Sequence, residues 1–146
     1  MPAMEEEHKS DDAVGSFSKL INSLYQMRLA GKYQAAIEAI DDALSSHFHV
    51  DPPDSSPFPE DFLSQVYQEQ NEISMDGNEL LGRLLTEKGD LLYCQNRYKE
   101  SRQVLKDALN VFFYLNDRQD SFSFQRMNRM VWINQKISEI DKTVAS

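Results

Sequence analysis

The chain has 146 residues and a formal net charge of −9 at pH 7, from 15 Lys and Arg against 24 Asp and Glu. This acidic balance argues against non-specific binding to nucleic acid or to an anionic membrane, because both require a basic surface. Hydrophobic residues make up 40% of the chain. A chain of this size is expected to bury roughly 68–70% of its unfolded surface around one core.

The single cysteine bears on the cellular compartment, and the short apolar runs bear on whether the chain spans a membrane. Cys94 is the only cysteine, so no intrachain disulfide is expected and a reducing, cytoplasmic compartment is favoured. The longest apolar run spans residues 111–115, far fewer than the roughly 20 residues of a membrane span. We expect the Cys94 thiol to be buried and unreactive, because it follows Leu92 and Tyr93 on an apolar helix.

The first 13 residues are expected to form a disordered acidic tail. Residues 1–13 hold five acidic side chains and one lysine, and they present no apolar face. From residue 14 onwards apolar residues recur every three or four positions, which is the period of an amphipathic helix. We therefore assign residues 14–146 to a single helical domain.

Two helices joined by a short turn begin this domain. Apolar residues at positions 17, 20, 21, 24 and 27 form one stripe, and a second stripe starts at Tyr33. Gly31 lies between them and supplies a natural stop for the first helix. Amphipathic helices with so short a connection are expected to pack as an antiparallel hairpin.

Residues 51–59 interrupt the helical pattern. They contain four prolines, which remove backbone donors and favour extended backbone in the residues before them. We expect a proline-rich loop inside the domain.

Three longer helices are predicted after this loop, at about residues 77–94, 98–115 and 121–142. Gly82 and Gly89 lie inside the first of them, where they lower helix propensity and favour the close approach of another helix. Ser121 and Ser123 are candidate N-caps of the last helix. Because strict polar–apolar alternation is scarce, the predicted fold class is all-α.

The two hairpins share one sequence pattern. Residues 31–43 read GKYxxAxxxIxxA and residues 96–108 read NRYxxSxxxLxxA, so matched positions lie 65 residues apart. The Gly or Asn tolerates a left-handed turn, and the small residues permit two helices to approach closely. The tyrosine is expected to wedge between the two helices of each hairpin.

This pattern resembles the tetratricopeptide repeat, a helix–turn–helix unit of about 34 residues. The whole arrangement is also similar to uncharacterised bacterial tetratricopeptide-like proteins. The resemblance implies antiparallel helical hairpins in a right-handed array that ends in a C-terminal capping helix. The chain departs from the family at Leu24, where a small residue is usual, and at Phe48 and Phe113, where a closing proline is usual.

In the tetratricopeptide family the first helix of each unit lines a concave groove that binds a segment of another protein. The resemblance therefore implies a protein–protein interaction module, such as an adaptor, an assembly factor or a regulatory subunit. Tyrosine and arginine suit such a surface because they combine a large contact area with polar tips. The groove residues that the resemblance implies are Tyr25, Arg28, Arg83, Asp90, Tyr93 and Arg97.

The C-terminal helix offers an alternative function. Apolar side chains cover more of its circumference than one packing stripe needs, which is typical of a surface that binds another chain. A structural homo-oligomer, such as a homodimer, that associates through Met127, Met130 and Trp132 of the C-terminal helix is therefore the second hypothesis. A small-molecule sensor or an enzyme with an unrecognised pocket is the third.

The sequence contains no recognisable pattern of catalytic or metal-binding residues. The sequence contains no phosphate-binding glycine loop, nucleophile elbow or metalloprotease helix motif. His47 and His49 are two residues apart, so on a helix their side chains point about 200° apart and are not expected to share a metal ion. We therefore expect neither an enzyme nor a bound cofactor or metal.

Overall fold

The structure is a computed structural model, and it describes residues 18–48, 75–118 and 123–145. Every regular element within these ranges is a helix, which confirms the all-α prediction for this part of the chain. The helices are α1 (18–29), α2 (Tyr33–Phe48), α3 (Met75–Cys94), α4 (Tyr98–Arg118) and α5 (Phe124–Ala145). The predicted tail (1–13) and proline-rich loop (51–59) lie outside the described residues, as does His49.

One hydrophobic core joins the five helices. The most extensive contact is between α3 and α4, while α2 packs against α3 and α5 packs against α4. Tyr33 and Tyr98, the aromatic residues of the two repeated patterns, are half-buried against this core. The buried apolar residues of this core include Leu24, Ile40, Leu44, Leu81, Leu84, Leu85, Leu92, Leu105, Phe112, Leu115, Ile133 and Ile140.

The turn between α1 and α2 depends on Gly31. Its φ angle is 73°, a left-handed conformation in which a Cβ atom is strained. The Gly31 N–H donates to the carbonyl of Arg28 at 3.0 Å, and the Lys32 N–H donates to the carbonyl of Met27 at 2.8 Å. These two bonds form a Schellman motif, which satisfies carbonyl groups that the end of α1 leaves without helical partners.

The turn between α3 and α4 has the same geometry. Asn96 takes the left-handed conformation with φ of 62°, and its N–H donates to the carbonyl of Tyr93 at 2.9 Å. The Arg97 N–H donates to the carbonyl of Leu92 at 2.9 Å. All four positions lie 65 residues after their counterparts in the first turn, so the sequence repeat is also a repeat of backbone hydrogen bonds.

Two glycines allow α3 and α4 to approach closely, as their positions in the sequence predict. A Cβ atom added at Gly89 would lie 2.5 Å from Cδ2 of Leu105, and one added at Gly82 would lie 2.5 Å from Cε1 of Phe112. Ser101 is buried at the same contact, and its Oγ donates to the Gly89 carbonyl at 2.6 Å. Gly82 and Gly89 are seven residues apart, and so are Leu105 and Phe112. Because seven residues make about two helical turns, the same kind of contact recurs two turns later.

The last helix begins at Phe124 and is capped by Ser123. The Oγ atom of Ser123 accepts a hydrogen bond from the backbone N–H of Arg126 at 3.2 Å, the usual geometry of an N-cap. Farther along, Asp141 of α5 accepts a hydrogen bond from Arg102 of α4 at 2.7 Å. The start of α5 is three residues later than the sequence predicts, and the helix continues to Ala145.

The expectation that Cys94 is buried is wrong, because its thiol is exposed. Helical residues advance by about 100° each, so Cys94 lies about 200° around α3 from the buried Leu92. The apolar neighbours of Cys94 in sequence therefore face the core while Cys94 itself faces outward.

Replacing Gly89 by Ala tests the close contact of α3 and α4. We expect Gly89→Ala to lower the free energy of unfolding by about 1–3 kcal/mol, because the new methyl group overlaps Leu105 in a filled core. This loss outweighs the gain in helix propensity, which is about 1 kcal/mol at most. Urea denaturation measures the change, with Asn134→Ala on the exposed face of α5 as the control. Equal stability of Gly89→Ala and the unmodified chain would contradict the contact.

Replacing Gly31 separates backbone strain from packing, because a Cβ atom added there meets nothing within 4 Å. We expect Gly31→Ala to lower the free energy of unfolding by about 1 kcal/mol through the left-handed conformation alone. Gly31→Asn is the matched variant, since Asn96 occupies the equivalent turn. Denaturation curves should show Gly31→Asn recovering most of the loss, and identical curves for the two variants would contradict the explanation.

Candidate functional site

A charged cleft of about 570 Å³ lies between α3 and α5, and the last turn of α1 contributes Arg28 to its wall. We call it the central cleft. An adjoining recess of about 420 Å³ shares Arg83, Gln125 and Arg129 with it. The central cleft is lined by Arg28, Arg83, Thr86, Glu87, Asp90, Gln125, Asn128, Arg129 and Trp132.

The helical period explains why these side chains share one cavity. Arg83, Glu87 and Asp90 are spaced by four and three residues on α3, and so they lie along one face of that helix. Gln125, Arg129 and Trp132 have the same spacing on α5. The two faces line the cleft together, while the leucines of α3 fill the core on its other side.

Arg28 connects the end of α1 to α3. Its guanidinium forms an ion pair with Asp90, and its Nη1 lies 3.5 Å from Oε2 of Glu87. Asp90 is only 5% exposed, and a carboxylate this deeply buried requires a paired cation. The carboxylate of Asp90 is therefore engaged by Arg28 and is not free to bind a partner.

Arg126 fixes the start of α5 against two other helices. The residue is 1% exposed, and its Nε donates to Oε1 of Glu79 on α3 at 2.7 Å. Its Nη1 donates to Oδ1 of Asn116 on α4 at 2.8 Å. A buried guanidinium is tolerated only when its donors are satisfied in this way. The network thereby holds α5 at the position that forms one wall of the cleft.

Arg83 and Arg129 face the same space from opposite walls and line both cavities. Within the described residues, neither guanidinium has an ion pair or a side-chain hydrogen bond, and the buried Nε of Arg83 has no hydrogen-bond partner. Burial lowers the pKa of Arg129 below its usual value, and the positive charge of Arg83 lowers this pKa further. Glu79 and Glu87 act in the opposite direction. The cleft therefore holds two cations close enough to repel each other.

Trp132 forms the aromatic part of the cleft wall. The Nζ atom of Lys136, one turn later on α5, lies 5.5 Å from the centre of the Trp132 ring and 4.2 Å from the centre of the Tyr93 ring. The Tyr93 ring in turn meets the ring of Tyr98 edge-on at 5.4 Å. These cation–π and aromatic contacts fix Tyr93 beside the cleft and hold α5 against the end of α3.

The structure brings together three of the six groove residues expected from the sequence. Arg28, Arg83 and Asp90 line the central cleft. Tyr25 is 59% exposed and is not part of the cleft lining, and Tyr93 stands beside the cleft in the contacts described above.

Arg97, the sixth residue, is engaged within its own turn. Its Nε donates to Glu100 at 3.3 Å and its Nη1 donates to the side chain of Gln95 at 3.0 Å. It does not belong to the residues that line the central cleft.

The three candidates for self-association have different environments. Met130 is 5% exposed and belongs to the core, and Met127 is partly buried against it. Trp132 lines the central cleft. Only part of this group is thus available to another chain in the described fold.

The contribution of α5 to the cleft was not expected from the sequence. Gln125, Asn128 and Arg129 were not among the expected groove residues, although the spacing of Gln125, Arg129 and Trp132 places them on one helix face. That spacing was the available signal. It does not say which neighbouring helix the face meets, and so the pairing of α5 with α3 was not predictable from it.

Metal-binding clusters, membrane-spanning helices and similarity to known proteins also bear on the function. Among the described residues, no group of three or more His, Cys, Asp or Glu side chains is arranged to hold a metal ion. None of the helices described here combines the length and apolar character of a bilayer-spanning segment. Comparisons with protein-family models, curated proteins and solved structures find no match to this chain.

Removing Arg126 tests the network that positions α5. We expect Arg126→Met to lower the free energy of unfolding by about 1–3 kcal/mol, because it removes the charge-assisted hydrogen bonds from Arg126 to Glu79 and Asn116. Arg102→Met is the matched control, since Arg102 also joins another helix to α5 but through the exposed Asp141; its cost should stay below about 1 kcal/mol. Chemical denaturation compares the two, and equal losses would contradict the role of Arg126.

Proposed function

We propose that this chain is a cytoplasmic protein–protein interaction module that binds a segment of a partner protein in the central cleft. It acts as an adaptor, an assembly factor or a regulatory subunit and carries out no covalent chemistry. The observation that carries the proposal is the cleft itself, in which side chains from α1, α3 and α5 converge on one polar cavity.

The composition of the cleft favours a protein partner. Arginine and tryptophan are enriched among the residues that dominate binding energy at protein interfaces, and the cleft contains Arg83, Arg129 and Trp132. The exposed Gln125 and Asn128 on its rim supply hydrogen-bonding groups to an extended backbone. The exposed single cysteine fits a reducing cytoplasm, where such a thiol stays unpaired.

The repeated hairpins support a tetratricopeptide-like arrangement as part of this proposal. Both turns use the same Schellman hydrogen bonds, and the cleft is lined by the first helices of the two hairpins and by α5. In a tetratricopeptide-like array, α5 would occupy the place of the capping helix. A groove lined by alternate helices is the surface that such repeats present to their partners.

The homo-oligomer hypothesis has less support among the described residues. Its interface requires Met130, which the core of the same chain already buries, and Trp132, which faces the central cleft. We therefore assign Trp132 to partner binding in the cleft.

Site-specific crosslinking tests the proposed function. A photoreactive residue at Gln125 or Asn128, on the cleft rim, should crosslink one and the same partner protein, because both positions border the cleft. The same residue at Asn110, exposed on α4 and away from the cleft, should crosslink none of it. Arg129→Glu should weaken binding of the recovered partner at least about tenfold by reversing a charge in the site, whereas Arg102→Glu should not.

Two results would contradict this function. Crosslinks that form equally from Asn110 would place the interaction outside the cleft. Crosslinks from Gln125 that join two copies of this chain would replace the proposed module with a homodimer.

A further inference from the structure

The cleft has an excess of positive charge although the whole chain is acidic. The described residues hold 14 Lys and Arg against 12 Asp and Glu, which is a charge of +2, so the rest of the chain carries −11 of the total of −9. Four arginines and three carboxylates line the central cleft and the recess. The local field at these cavities therefore attracts an anion.

The three carboxylates already have arginine partners. Glu79 binds Arg126, and both Glu87 and Asp90 face Arg28. Arg83 and Arg129 have no such partner among the described side chains, and they share the boundary between the two cavities. The excess charge is thereby concentrated on this one pair of guanidinium groups.

Arg83 carries a further indication of a ligand. Its Nε is buried and donates to no acceptor in the described structure, and a buried donor without an acceptor costs free energy. A ligand oxygen in the cleft would satisfy this N–H. A guanidinium presents its N–H groups as a planar fork, which matches the oxygen atoms of a carboxylate or phosphate.

We propose that Arg83 and Arg129 together bind one phosphate group on the partner segment. This proposal rests on the proposed function, because it names the chemistry of the segment that enters the cleft. A phosphorylated side chain offers three acceptor oxygens and a charge between −1.5 and −2. The Coulomb energy is proportional to the charge of the ligand. Arg83 and Arg129 together therefore attract a phosphate group about twice as strongly as they attract a single carboxylate.

The fluorescence of Trp132 reports binding directly, because this residue is the only tryptophan of the chain and lines the cleft. Inorganic phosphate should change the fluorescence of the full chain to saturation, while chloride at the same ionic strength should not. Acetate should bind at least about fivefold more weakly, as expected for a single negative charge. A short peptide with phosphoserine should also saturate the change, and the same peptide with serine should not.

Three variants locate the site. Arg83→Gln and Arg129→Gln should each weaken phosphate binding at least about tenfold, because each removes charge-assisted hydrogen bonds. Arg102→Gln, which lies outside the cleft, should leave binding unchanged. The nuclear magnetic resonance signal of the Arg83 Nε–H in the unmodified chain should shift with phosphate, and this measurement does not depend on the folding of any variant.

The outcomes separate this inference from the proposed function. The phosphate site is refuted if phosphate has no more effect than chloride, if acetate binds as tightly, or if both arginine variants bind as well as the unmodified chain. If the partner crosslinks at Gln125 still form in any of these cases, the proposed binding function is retained and only the phosphate site is refuted. Phosphate binding that depends on both arginines, without any partner crosslink, would show a phosphate site in the cleft but would refute a partner segment as the source of the phosphate.

Discussion

The buried guanidinium of Arg126 is the interaction on which the cleft depends. It links α5 to Glu79 on α3 and to Asn116 on α4, and no apolar residue of similar volume has donors for both partners. Taking a charge out of water is costly and is tolerated only with close, well-oriented partners. The start of α5 is therefore held at one place beside α3, and the side chains one turn later, including Arg129, are directed into the cleft.

The helices and their turns were predictable because local chemistry determines them. Gly31 and Asn96 stand where a left-handed residue ends each first helix, and few residue types tolerate that backbone. Gly82 and Gly89 indicated a close helix contact because glycine is otherwise unfavourable inside a helix, and α4 meets α3 at both positions. These features can be recognised from the residues within one or two helical turns, and recognising them does not require knowing which distant helix packs there.

The cleft was only half predictable, because it depends on how distant helices meet. Arg28, Arg83 and Asp90 were expected to line a groove, yet the pairing of Arg28 with the buried Asp90 joins residues far apart in sequence. The burial of Arg126 and the exposure of Cys94 were both missed for one reason. A residue type indicates a preference for water or core, whereas the orientation of the helix decides which one the side chain meets.

A double-mutant cycle between Arg126 and Glu79 is the most direct test of this account. The free energies of unfolding of Arg126→Met, Glu79→Gln and the double variant are compared with that of the unmodified chain. If this ion pair positions α5, the two substitutions should be coupled by about 1–3 kcal/mol, as for residues in direct contact. Additive effects, within about 0.5 kcal/mol, would show that α5 is held by other contacts and would contradict the account.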